Sequence, residues 1–114
     1  MARYKVTFDM PLRLAAGERA MAIAGRLHDR LQATRVRGVA SPEVATYRIR
    51  RGRLRAATVA MTVQAPNAAQ AAVIAMDVLR AALGTDGRSW DVAGTGATIV
   101  PVLSVVRPAP AAPA

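Results

Sequence analysis

Val44–Gln64 reads VATYRIRRGRLRAATVAMTVQ, and the way this stretch doubles back on itself decides the fold. Apolar and polar residues alternate on either side of Arg51-Gly52, the pattern of two strands joined by a tight turn. Arg-Gly is a weaker two-residue turn than Asn-Gly, yet both flanks keep the strand period. With Arg51-Gly52 as the loop, Arg50 faces Arg53 and Arg48 faces Arg55, all on one side of the ribbon. Like charges facing each other across strands are destabilising by roughly 0.2–1 kcal/mol per pair. The alternation also changes phase. Tyr47, Ile49, Leu54 and Ala56 form the apolar face near the turn, whereas Val59, Met61 and Val63 have the opposite parity. A β-bulge near Ala56-Ala57 would restore a single face, since one extra residue shifts the alternation. The alternative is a protruding tip with two different environments.

Outward from this hairpin the chain supplies four more elements. Arg3–Met10 alternates, with Tyr4, Val6, Phe8 and Met10 on one side and Arg3, Lys5, Thr7 and Asp9 on the other, before Pro11 ends the strand. A helical period runs from about Gly17 to Ala33, its apolar stripe being Ala20, Ile23, Ala24, Leu27 and Leu31. Arg19, Arg26 and Arg30 give that helix a basic edge. A second helix begins after Pro66, with Asn67 as N-cap, and ends before Gly84. Its expected core stripe is Ala68, Ala71, Ala72, Ala75, Val78, Leu79 and Ala82. The last strand covers about Thr98–Val106, and Pro101 assigns it to an edge because proline cannot donate to a ladder.

The order β-α-β-β-α-β implies an α+β, ferredoxin-like sandwich: a four-stranded antiparallel sheet backed by two helices. The first and third strands are central, and the second and fourth are edges. The arginine run and Pro101 both suit edges, where charge and proline discourage stray pairing. At 114 residues the chain fits one domain, expected over 1–107, followed by an extended Pro/Ala tail over 108–114.

Composition narrows function by exclusion. The chain has no cysteine, so a disulfide scaffold, a thiolate metal site and a cysteine nucleophile are excluded, and a cytoplasmic location is expected. Neither a signal peptide nor a membrane-spanning stretch is expected: Met1–Met10 carries Arg3, Lys5 and Asp9, Ala68–Leu83 is broken by Gln70, Asp77 and Arg80, and Ala97–Val106 is too short. His28 is the only histidine. Asp29 follows it directly, and adjacent helical residues do not face each other, so the two form no dyad. The seven acidic residues are scattered over all elements, with no pair at metal or acid/base spacing. Gly84–Gly87 and Gly94–Gly96 do not join a strand to a helix start, and so they read as a helix cap and a bend rather than a phosphate cradle. No catalytic residue, metal ligand or cofactor is expected.

The charge points elsewhere. Sixteen basic residues against seven acidic ones give a formal net charge of +9. Lys5 is the one lysine, and part of the arginine excess matches GC-rich coding, but a GC bias leaves the net sum unexplained. That sum favours polyanionic partners, nucleic acid or acidic surfaces, and DNA or RNA is the expected one. The expected site is Arg48, Arg50, Arg51, Arg53 and Arg55, supported by Arg3 and Lys5 on the same sheet face. RNA-recognition sheets stack bases on aromatics of the central strands. Tyr4 and Phe8 point to the helix side and Arg55–Val63 has no aromatic, leaving arginines that hold phosphates without reading sequence. A solvated hairpin tip that guards a sheet edge explains the same run without a ligand. Val73, Ile74, Met76 and the two-faced last strand leave spare apolar surface, from which a homo-oligomer is expected; a self-assembling interaction module with no nucleic-acid role is the competing expectation.

Overall fold

The hairpin builds one side of a four-stranded antiparallel sheet in the computed structural model, which describes residues 2–13 and 19–102. β1 (Ala2–Pro11) is followed by α1 (Arg19–Ala33), β2 (Val39–Arg50), β3 (Arg53–Ala65), α2 (Ala68–Leu83), a short 3-10 segment (Gly84–Ser89) and β4 (Gly96–Pro101). The sheet order is β2-β3-β1-β4, so β1 and β3 are central and β2 and β4 are edges, the ferredoxin-like arrangement.

Period-2 patterning explains the central pair. Val6 lies opposite Met61 and Phe8 opposite Val59, on the face that the helices cover. Val6, Phe8, Met10, Val59 and Val63 are fully or almost fully buried. From α1 the buried residues are Ala20, Ile23, Ala24, Leu27 and Leu31, the stripe the helical period predicts. The α2 stripe begins one turn later than expected. Ala71, Ala75, Val78, Leu79, Ala82 and Leu83 are buried, whereas Ala68 in the first turn is exposed. Asn67 caps this helix, its side chain accepting from the Gln70 N–H at 2.9 Å. Ile74 and Met76 pack along the edge of the core, so of the three spare apolar residues only Val73 stands in solvent.

Several boundaries differ from the pattern reading. β2 starts at Val39, five residues before Val44, because two irregularities hide its alternation. One lies between Ala40 and Glu43, where Ser41 has φ 52°, and the next lies between Val44 and Thr46. β4 is Gly96–Pro101 instead of Thr98–Val106. The Val102 N–H donates to the Arg3 carbonyl at 2.8 Å. Even-numbered β4 residues therefore bond inward, and the missing N–H of Pro101 falls on the open edge. Residues 103–114, with the Pro/Ala tail, and residues 14–18 lie outside the described residues. Together α2 and the 3-10 segment are long and apolar enough to cross a membrane by length and composition, but in this fold their apolar stripe lies on the sheet.

Candidate functional site

Arg51 and Gly52 have φ of 53° and 73°, the two positive values that a type I′ hairpin turn requires. The register follows: Arg50 pairs with Arg53, and Ile49 with Leu54. The next pair is Arg48 with Ala56. Arg48 therefore does not face Arg55, which corrects the ladder expected from the sequence. Arg55 is the extra residue of a bulge, placed just before the expected Ala56-Ala57. The bulge resolves the phase conflict, since Leu54 and Ala57 both join the core cluster across it.

Both sequence alternatives apply at once, because the ribbon also outruns the sheet. Pairing between β1 and β3 ends at Pro11 and Ala56, and the Leu12 N–H then takes the carbonyl of Arg55 at 2.8 Å. Beyond that point only β2 and β3 continue. Ile49 is 58% exposed as a result, although the pattern put it on an apolar face.

Arg48, Ile49, Arg50, Arg51 and Arg55 line an open hollow of about 760 Å³. Four of the five hairpin arginines are thus gathered around one concavity, and Arg53 stands outside its lining. Ile49 is the lining residue that the charge pattern missed, and the change of phase beside it was the available signal. Arg48 makes an exposed ion pair with Asp9 at 3.4 Å. Arg50, Arg51, Arg53 and Arg55 pair with no described carboxylate.

Arg3 and Lys5 share the free sheet face but not this hollow. Arg3 pairs in register with Gln64 and Lys5 with Thr62, whereas the arginine end of β3 is at Ala56. At about 3.3 Å per residue this puts Arg3 some 26 Å away along the strand. Arg3 lines a separate small hollow with Gly38, Val39, Ala40, Thr62 and Gln64.

Other polar groups are used within the fold. Asp86 accepts from Arg26 Nε and Nη2 at 3.0 Å each, and from Arg30 Nη1 at 3.3 Å. The Arg26 hydrogen bonds hold the Asp86 carboxyl below its usual range, and the guanidinium of Arg26 is raised in turn. Arg30 also donates to the carbonyls of Leu83 at 2.9 Å and Ala82 at 3.4 Å, at the C-terminus of α2. Arg26 and Arg30 therefore tie α1 to the 3-10 segment, and Arg30 also ties it to the C-terminus of α2. His28 Nδ1 accepts from the Val44 N–H at 3.1 Å and so holds β2. Gly84 caps α2 with φ 51°, as the sequence suggested. Asp91 Oδ1 closes the following turn on the Gly94 N–H at 2.9 Å. Trp90 is 1% exposed, which closes the end of the core and rules out stacking on a ligand. Among the described residues no three His, Asp or Glu side chains converge as a metal site.

Neither a family model, a curated protein nor a solved structure matches this chain.

Proposed function

We propose that this is a small, basic, non-enzymatic accessory protein of the cytoplasm that holds nucleic-acid phosphates through its arginine-rich hairpin, acting as an oligomer. The hollow lined by Arg48, Arg50, Arg51 and Arg55 carries the reading. Guanidinium groups pair with phosphate oxygens in two-pronged geometry, and the convergence of several around one concavity favours an anion. Arg53, opposite Arg50 across the turn, adds charge beside the hollow. Arg3 and Lys5 contribute long-range attraction from the far end of the sheet. The test is fluorescence anisotropy with mixed-sequence DNA and RNA at two salt concentrations. Micromolar or tighter binding that weakens steeply with salt, and disappears on Arg48/Arg50/Arg53/Arg55→Ala, is expected. No binding at low salt overturns the proposal.

An assembly module with incidental charge is the second reading. It is favoured by Val73 at 61% exposure on α2, and by Val100 at 51% and Val102 at 38% at the open β4 edge. Light scattering across concentration tests this reading: a persistent monomer removes it, along with the oligomeric state in the first reading, and leaves only phosphate binding by the hairpin.

A further inference from the structure

We infer that the hairpin is one end of a longer phosphate-binding rim, completed by Arg13 and Arg88, whose partner is duplex nucleic acid. The inference rests on the proposed reading of the hairpin and extends it to residues far apart in sequence.

Three backbone hydrogen bonds define the rim. The Leu12 N–H donates to the Arg55 carbonyl at 2.8 Å, which lays the end of β1 beside the bulge. On the other side of β1, the Arg13 N–H donates to the Ser89 carbonyl at 3.0 Å and the Asp91 N–H to the Pro11 carbonyl at 2.8 Å. Leu12 and Trp90 form the antiparallel bridge between them. Four segments therefore lie side by side at this end of the sheet, in the order Arg48–Arg50, Arg53–Arg55, Pro11–Arg13 and Arg88–Asp91. Each brings at least one arginine, and Arg13 and Arg88 are exposed.

Spacing and neighbouring charge fix what such a rim takes. Segments of a sheet lie about 4.8 Å apart, so the rim is about 14 Å across from the first segment to the fourth. That length of duplex axis carries about eight phosphates over both strands, enough to meet every arginine of the rim. A single phosphate would occupy only the hollow. The middle of the free sheet face is less suited to a polyanion, since Glu43 is exposed there with no described cationic partner. The carboxylates beside the rim are engaged: Asp9 with Arg48, Asp86 with Arg26 and Arg30, and Asp91 with the Gly94 N–H. Single strands gain much of their binding from bases stacked on aromatic rings. Trp90 and Phe8 are buried, and Tyr47, at 39%, is the one exposed aromatic among the described residues. The rim therefore offers charge without stacking, which suits the paired form.

The experiment compares the full chain with Arg13→Ala/Arg88→Ala, using a short mixed-sequence duplex and one of its strands alone. Arg35→Ala/Arg37→Ala, two exposed arginines between α1 and β2, serves as an equal loss of charge at the opposite end of the sheet. Both rim residues are exposed, so circular dichroism and thermal melting should be unchanged. The rim variant should bind duplex about tenfold more weakly, and the slope of log K against log salt should fall in magnitude by about 2, one per lost phosphate contact. The control should change much less, and the single strand should bind more weakly than the duplex. A rim variant that binds like wild type, or no more weakly than the control, overturns the rim while leaving the hairpin reading intact. Equal or tighter binding of the single strand overturns the duplex assignment. Absence of any duplex binding by wild type at low salt removes both readings together.

Discussion

Arg50 lies directly opposite Arg53 across the Arg51-Gly52 turn, and neither pairs with a described carboxylate. Such an arrangement is unfavourable unless an anion relieves it. Arg50→Thr should therefore stabilise the free protein by about 0.2–1 kcal/mol, since a like-charge pair is removed and threonine suits a strand. The same change should weaken duplex binding, because Arg50 lines the hollow. Thermal melting with and without ligand checks both. The ligand should raise the melting temperature of wild type more than that of the variant, following mass action. A variant that melts lower than wild type would show that the opposed arginines cost nothing.

Arg51 breaks a second local rule within the same four residues. It occupies left-handed backbone at φ 53°, where a side chain with Cβ is disfavoured and asparagine is the better choice. Arg51→Asn should stabilise the hairpin and reduce anion affinity, whereas Arg51→Val should destabilise it. Urea titration gives the stabilities. Two unfavourable choices side by side at the proposed site are what a functional turn predicts, since natural sequences depart from local preference mainly where function intervenes.

The sheet order was legible because each element carried its own period. The alternation of Val6, Phe8 and Met10 and the stripe through Ile23, Leu27 and Leu31 needed no tertiary information. The phase change near Ala56 located a bulge to within a residue. Ala40–Thr46 was illegible for the converse reason: two irregularities in seven residues erase period 2. At the site, the pattern matched Arg48 with Arg55 by counting outward from the turn, a match that the bulge shifts, and joined Arg3 to the hairpin by a shared sheet face along which the sheet's length separates them. Arg13 and Arg88 left no trace in the pattern, because only the hydrogen bonds from Leu12 and Arg13 bring their segments beside Arg55 and Ser89.

Asp86 makes stability depend on acid. Its hydrogen bonds from Arg26 hold the folded-state pKa below the ordinary value of 3.8. A depressed carboxyl contributes stability that is fully present above its unfolded pKa and is lost as pH falls through the folded one. Asp86→Asn should accordingly lower the melting temperature at neutral pH, with the difference from wild type shrinking below about pH 4. Arg30→Met should cost about 0.3–1 kcal/mol, through loss of a cation at the α2 C-terminus. Melting curves from pH 7 down to pH 2 read both effects. A difference between Asp86→Asn and wild type that is constant across this range would exclude the ion pair as its cause.

His28 links the first helix to the irregular part of the hairpin, since its Nδ1 accepts the Val44 N–H at 3.1 Å just before the break between Val44 and Thr46. Val44 is buried, so its N–H has no solvent to turn to once the imidazole is removed. His28→Leu keeps side-chain bulk but leaves that donor unsatisfied, at a cost of about 1–3 kcal/mol. The loss should be local. Hydrogen exchange at the Val44 amide should accelerate well beyond that at Met61 or Val63, which lie within the central β1–β3 pairing. The register of Thr46–Arg50 on β3 begins directly after this break, so the variant should also loosen the Arg48–Asp9 pair and weaken duplex binding modestly with Arg50 and Arg55 intact. Uniform acceleration across all amides would instead mean that His28 supports global stability alone, with no separate role in holding the hairpin in register.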